Sequence, residues 1–219
     1  MPRRPDPQLR SRLIEAATVE FASHGYRGAS LDGIGARAGA TKGAVYCHFA
    51  GKEELFYAVL DHWRDKRRRL LQVQAAGGGG AATALRAFLA GYLRFHFREP
   101  AASHLLRVLA TELRGGLTAR LREDERQELR WLRANLRELL VLGVRDGTLG
   151  VDDAATTAFV LAAAVRGALE QWQSAPGDVE PHCDEQQLAT ELVARFATGV
   201  ARERADGGVG DFDFRGDAG

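Results

Sequence analysis

Within eight residues, Thr41-Lys42-Gly43-Ala44-Val45-Tyr46-Cys47-His48, the chain places a hydroxyl, an ammonium, a phenol and an imidazole among small side chains. This is not a catalytic set. The chain holds no Gly-x-Ser-x-Gly, His-Glu-x-x-His or phosphate-loop pattern, and no carboxylate pair stands out from ordinary helix surface. What such a group can do is donate hydrogen bonds and positive charge to oxyanions, while Gly43 and Ala44 let a backbone come close to a groove. The flanking residues form two short helices. Ser30 is a natural N-cap for Leu31 to Ala38, which ends at Gly39, and Thr41 caps Lys42 to Cys47 or His48, with Val45 and Phe49 as its apolar side. Each is too short to be stable alone. The spacing fits a helix-turn-helix over about 31–50 whose second helix enters the major groove of DNA. It fits an ordinary helical hairpin closed by a glycine turn equally well.

The elements around this hairpin are helical throughout, and no segment alternates as a strand would. Leu9, Leu13, Ala17 and Phe21 step by four along a first helix, Gln8 to Ser23, that Gly25 stops. Lys52-Glu53-Glu54 opens a longer helix whose stripe is Leu55, Phe56, Val59, Leu60 and Trp63, running out through charged residues 64–69 towards Gln74. The Gly77–Gly80 run reads as a flexible connection. Beyond it the pattern predicts Thr83–Arg98, Ala101–Leu113, Thr118–Arg145, a very apolar helix from Asp152 or Asp153 to Trp172, and Asp184–Arg204. The fold class is thus all-α with about nine helices: an N-terminal domain over 8–68 and a larger C-terminal domain over 81–204. Residues 1–7 and the Gly/Asp-rich 205–219 are expected to be disordered.

Composition narrows the classes further. The 219 residues are 45% hydrophobic and 27% charged, and no apolar run reaches the length of a membrane span. With no apolar leader at the N-terminus, a cytoplasmic protein is expected. Net charge is +1, but residues 1–52 carry +4, a basic head that suits a polyanionic partner at one end. Arginine greatly outnumbers lysine, a signature of GC-rich coding, so the arginine count itself says little. Two cysteines, Cys47 and Cys183, give neither a disulfide framework nor a metal pattern. His182-Cys183 has no second ligand pair, and neither a metal nor a cofactor is expected.

Residues Leu31 to Leu55, and within them Gly43-Ala44-Val45-Tyr46-Cys47-His48-Phe49-Ala50-Gly51-Lys52-Glu53-Glu54-Leu55, closely resemble the signature of the tetracycline-repressor (TetR/AcrR) family. The resemblance extends over about residues 8–68; further on, only the number and lengths of helices are similar. It implies a sequence-specific transcriptional regulator, a repressor bound to operator DNA as a homodimer, and not an enzyme. It also implies roles that the chemistry supports. Ser30 and Thr41 offer hydroxyls to phosphate, Lys42 reaches phosphate and base edges, and Gly43 and Ala44 admit the backbone to the groove. Tyr46 and His48 contact phosphates, packing being the alternative for each, and Lys52 pairs with phosphate without reading sequence. Gly33 and Gly35 depart from the helix formers usual there, and Cys47 from a commoner aromatic or polar residue; a redox role for it is a minor alternative.

For the second half the resemblance implies a small-molecule effector and dimerisation through the last two long helices. The small residues Ala162-Ala163-Ala164 and Gly167-Ala168 permit the close helix approach of such an interface, closure of the monomer's own core being the minor alternative. A small, hydrophobic effector would suit a pocket of Phe88, Tyr92, Phe95, His104, Arg107, Glu112, Trp131, Phe159 and Arg166, which helical spacing otherwise assigns to core. In the implied mechanism two recognition helices sit one DNA turn apart, about 34–36 Å, and the effector favours a wider spacing through the fourth helix. The rival readings are a helical adaptor containing a hairpin of this kind and, more distantly, a helical enzyme.

Overall fold

The computed structural model describes residues 7–75, 80–107, 116–174 and 184–197. Among them are nine α-helices and no strand: α1 (Pro7–Gly28), α2 (Leu31–Arg37), α3 (Lys42–Tyr46), α4 (Lys52–Ala75), α5 (Gly80–Arg98), α6 (Pro100–Arg107), α7 (Gly116–Arg145), α8 (Ala154–Ser174) and α9 (Glu185–Ala197). None of the described helices is long and apolar enough to cross a membrane. Of the terminal segments expected to be disordered, 1–7 and 205–219, residue 7 instead opens α1, and 1–6 and 205–219 lie outside the described residues, as do Glu112, His182 and Cys183.

The first helix follows its stripe: Leu13, Ala17 and Phe21 are completely buried. Its helical geometry breaks at Gly25, where φ is 66°, a left-handed conformation that costs glycine nothing. Helices α2 and α3 lie across this base with α4 behind them, and Ile34, Val45, Phe49, Leu55 and Phe56 close a first hydrophobic core. The α5, α6 and α7 residues Phe95, Ala102, Leu105 and Leu121 join that same core, so the two halves share apolar packing. A second core gathers α5, α7, α8 and α9 with Leu71 from the far end of α4. Helix α4 thus belongs to both.

Several helix ends are fixed by contacts distant in sequence. Helix α5 begins at Gly80, three residues before the predicted Thr83. The Ala81 amide donates to the Asp146 carboxylate at 2.8 Å and the Ala82 amide to Thr148 Oγ1 at 3.1 Å. A cap supplied from 65 residues away leaves no local signal. Helix α6 starts at Pro100, where a missing N–H costs nothing in the first turn. Of the two aspartates offered for α8, Asp153 is the cap, accepting from the Ala155 and Thr156 amides. At α9 the Gln187 amide donates to Asp184 Oδ1 at 2.7 Å while Gln187 Oε1 accepts from the Asp184 amide. That exchange is a capping box.

Candidate nucleic-acid interface

The α2–α3 hairpin meets its internal needs with few residues. Ser30 Oγ accepts from the Gly33 amide at 3.0 Å and Thr41 Oγ1 from the Ala44 amide at 3.2 Å, so each short helix has its predicted cap. Both hydroxyl hydrogens remain to be donated outward. The turn between the helices is tight: Gly39 adopts φ 67°, and the Ala40 amide donates to the Gly35 carbonyl at 2.8 Å. A Cβ on Gly35 would stand 2.9 Å from the Ala40 carbonyl oxygen. The two glycines that depart from the family habit therefore divide: Gly35 is required by this turn, whereas Gly33 fits beneath the flexible end of Glu20.

Beneath the hairpin, Val45 is fully buried and Phe49 is 1% exposed; on the far side, Thr41, Lys42 and Gly43 face solvent and Tyr46 is 51% exposed. A Cβ on Gly43 would touch nothing closer than Thr41 Oγ1 at 3.9 Å, so nothing inside the protein needs a glycine there. Ala44 and His48 are half-buried, the His48 ring tilted against Phe49. Lys42 Nζ lies 2.8 Å from Asp32 Oδ2, and that hydrogen bond raises its pKa and keeps it cationic. More than half of each partner is in water, so a phosphate can take the aspartate's place. Lys52 is placed differently. Its ammonium donates to the carbonyls of Ala29 at 3.0 Å and Arg27 at 3.2 Å, beside the Tyr26 ring, and so ties the end of α1 to the start of α4. Cys47 is a free, exposed thiol.

Of the nine residues named for an effector pocket, those whose side chains are described do not converge. A cavity of about 60 Å³ opens between α4, α5, α6, α7 and α8, and of the described ones among the nine only Tyr92 and Arg166 line it. Phe88 is buried against Trp131 in the second core, while Phe95 packs on Trp63 in the first. His104 is half-buried on α6 and Arg107 ends that helix, its side chain beyond description. Phe159 is 57% exposed on the outer face of α8, with Arg133 over its ring at 5.9 Å. In their place the cavity takes Arg64, Arg67 and His96, together with Glu125, Glu128 and several leucines. A usable signal was present. Phe56, Leu60, Trp63, Arg67 and Leu71 continue one helical stripe at spacings of three and four, and the arginine within it is 3% exposed.

An outward small-and-polar face on a capped short helix, held by an apolar base, is the arrangement of a helix-turn-helix. Residues 13–59 match the bacterial regulatory proteins of the tetR family. The repressor SCO4008 of Streptomyces coelicolor is 35% identical over 125 residues, 56% of this chain and 60% of that one. The regulator SrpR of Pseudomonas putida is 49% identical over 53 residues, 24% of this chain and 25% of its own. These matches span less than two thirds of either relative's length. The fold likeness reaches further: the regulator FadR of Bacillus subtilis, solved in complex with stearoyl-CoA, superposes with a TM-score of 0.69 over 86% of this chain and 98% of that one, at 15% identity. Over this N-terminal region the chain is thus similar to TetR-family transcriptional regulators, and over most of its length it shares their fold.

Proposed function

We propose that this protein is a cytoplasmic transcriptional repressor that binds operator DNA as a homodimer and is released by a small effector. The observation that carries this reading is the exposed face of Thr41, Lys42 and Tyr46 above buried Val45 and Phe49. Donors that face solvent, Lys42 held only by its exposed pair with Asp32, are what a phosphate ridge can use. In this reading Lys42 exchanges Asp32 for phosphate or a base edge, and Tyr46 and His48 flank it on the backbone. Ser30 and Thr41 donate their free hydroxyl hydrogens, and Gly43 and Ala44 set the closeness of approach. Lys52 is foremost a positioning residue, with one ammonium hydrogen left for phosphate.

Residues 8–68 then form the DNA-binding domain and 81–204 the effector and dimerisation domain, with α4 as the mechanical link. Exposed Phe159 and Ala163 lie one turn apart on α8, which supports an interface built from α8 and α9. The related fold that holds stearoyl-CoA supports an effector with an apolar part.

The test is a mobility-shift assay on the DNA upstream of the protein's own gene, backed by sequencing of captured genomic fragments. A saturable complex is expected, weakened at least about tenfold in the Lys42→Ala/Tyr46→Ala double variant. Equal binding by that variant, or capture of no preferred sequence, would overturn the reading.

A further inference from the structure

Four guanidiniums meet three carboxylates beside the cavity. Arg64 pairs with Asp124 at 3.1 Å, Arg67 and Arg68 share Glu128, and Arg166 of α8 pairs with Glu125 at 3.0 Å. Arg67 is the deepest of them. Its Nη1 lies 3.4 Å from His96 Nε2, and its guanidinium stands 5.1 Å from the Tyr92 ring centre and 5.8 Å from that of Trp131. Acceptors nevertheless run short: the Nε atoms of Arg64, Arg67 and Arg68 are buried with no hydrogen-bond partner. Both carboxylates on the cavity wall are already engaged by guanidinium, so the demand that remains is for more oxygen lone pairs.

Resting on the reading of this half as an effector domain, we propose that the cavity takes a small amphiphile with an oxyanion head, which replaces Glu128 on Arg67 and thereby loosens the tie of α4 to α7. A carboxylate or a phosphate monoester brings the missing acceptors and binds guanidinium in the geometry that Glu128 now uses. A cation would add donors where donors are already in excess. Leu105, Leu121, Leu129 and Leu132 supply the apolar wall for a tail. The present space, about 60 Å³, is far below the roughly 300–1,000 Å³ of a ligand site. Entry of the tail therefore requires α4 and α7 to part.

That parting is the output. Among the described residues the backbone of α4 approaches α1, α5 and α6 more closely than α7, and the arginine pairs are the ionic links across the α4–α7 crossing, beside the packing of Arg120 on the Tyr57 ring. The ligand prefers the unbridged state because only there do its head and tail both fit, and that differential affinity is what a population shift requires. Glu128, already part-exposed, passes to solvent.

Calorimetric titration of the full chain with octanoate, octyl phosphate, octanamide and octylammonium tests this. The anions are expected to bind at least about tenfold more tightly than the amide, with octylammonium failing. Preference for octanoate or for octyl phosphate names the head group. Glu128→Gln removes the competitor and tightens the anions, whereas the double variant Arg67→Met/Glu128→Leu, which leaves only the part-exposed Arg68 without its partner, abolishes the preference. Equal binding of amide or ammonium overturns the anion assignment and leaves an effector site standing; unaltered anion binding by the double variant, or no binding by any of the four, overturns it as well. A protein that takes octanoate in this way yet binds no DNA upholds the inference and removes the regulatory reading.

Discussion

The α2–α3 hairpin and the crossing of α4 over α7 are both rich in polar side chains, and they use them in opposite ways. At the hairpin, two hydroxyl caps and a glycine turn satisfy the backbone, leaving Thr41, Lys42 and Tyr46 pointed at solvent. At the crossing, Arg64, Arg67 and Arg68 are turned inward onto Asp124 and Glu128, and buried Nε donors are still left over. A surface that must grip an external polyanion has to be internally self-sufficient. A site that must couple a ligand to a moving helix instead works through contacts the ligand can displace.

The strongest test of this contrast compares cores. Phe49→Ala empties a position that is 1% exposed beneath the recognition helix and should cost about 3–5 kcal/mol in denaturant unfolding. The charge pair should behave in the reverse sense. Deleting both Arg67 and Glu128 in favour of apolar residues is expected to leave stability nearly unchanged or raised, since a buried ion pair recovers little of its desolvation cost. If the double deletion destabilised as much as Phe49→Ala, the crossing would be a structural brace, and the comparison would fail.

Within the hairpin half, two lysines separate gripping from positioning. Lys42→Ala should leave unfolding unchanged and reduce the slope of log affinity against log salt by about one unit, the signature of one lost phosphate contact. Lys52→Ala should cost about 1–2 kcal/mol, because its ammonium closes two carbonyls at the end of α1. Its effect on the salt slope should be smaller than that of Lys42. Titrations at four or five salt concentrations alongside thermal melts distinguish them. A stable Lys52→Ala protein with a flattened salt slope would return Lys52 to the phosphate contacts.

This asymmetry also explains what could be read without coordinates. The hairpin lies within 20 consecutive residues, Ser30 to Phe49, so its caps, turn glycine and apolar base were all local, and Ser30, Thr41, Gly39 and Phe49 stand as the pattern required. The pairs at the crossing are 60 and 61 residues apart, and arginines read from composition look like a solvated helix end. Only the continuation of the α4 stripe through Arg67 hinted otherwise. Aromatic residues drew attention to Phe88, Phe95 and Phe159, yet large rings at helical spacing answer first to packing: two fill the cores and the third faces outward.

The smallest effects should appear in acid, and they too divide the halves. In the hairpin half, burial of His62 on α4, then Lys66 and Arg69 nearby, lowers its pKa below the ordinary 6.5. The folded state resists the proton, so this contribution is complete above pH 6.5 and is lost as pH falls through the lower folded value. In the second half, hydrogen bonds from the Thr148 hydroxyl and the Ala81 and Thr148 amides hold the Asp146 carboxyl below its ordinary 3.8. Its contribution is complete above 3.8 and is lost only under stronger acid. Thermal melts across pH 3–7 should accordingly lose stability in two stages, the first removed by His62→Asn and the second, which Asp153 and Glu185 share, reduced by Asp146→Asn. Because the Asp146 side chain is solvent-accessible, its stage should be the fainter. Should Asp146→Asn instead flatten the stage nearer neutrality, the cap at the start of α5 would be coupled to α4, and the two halves would not titrate apart.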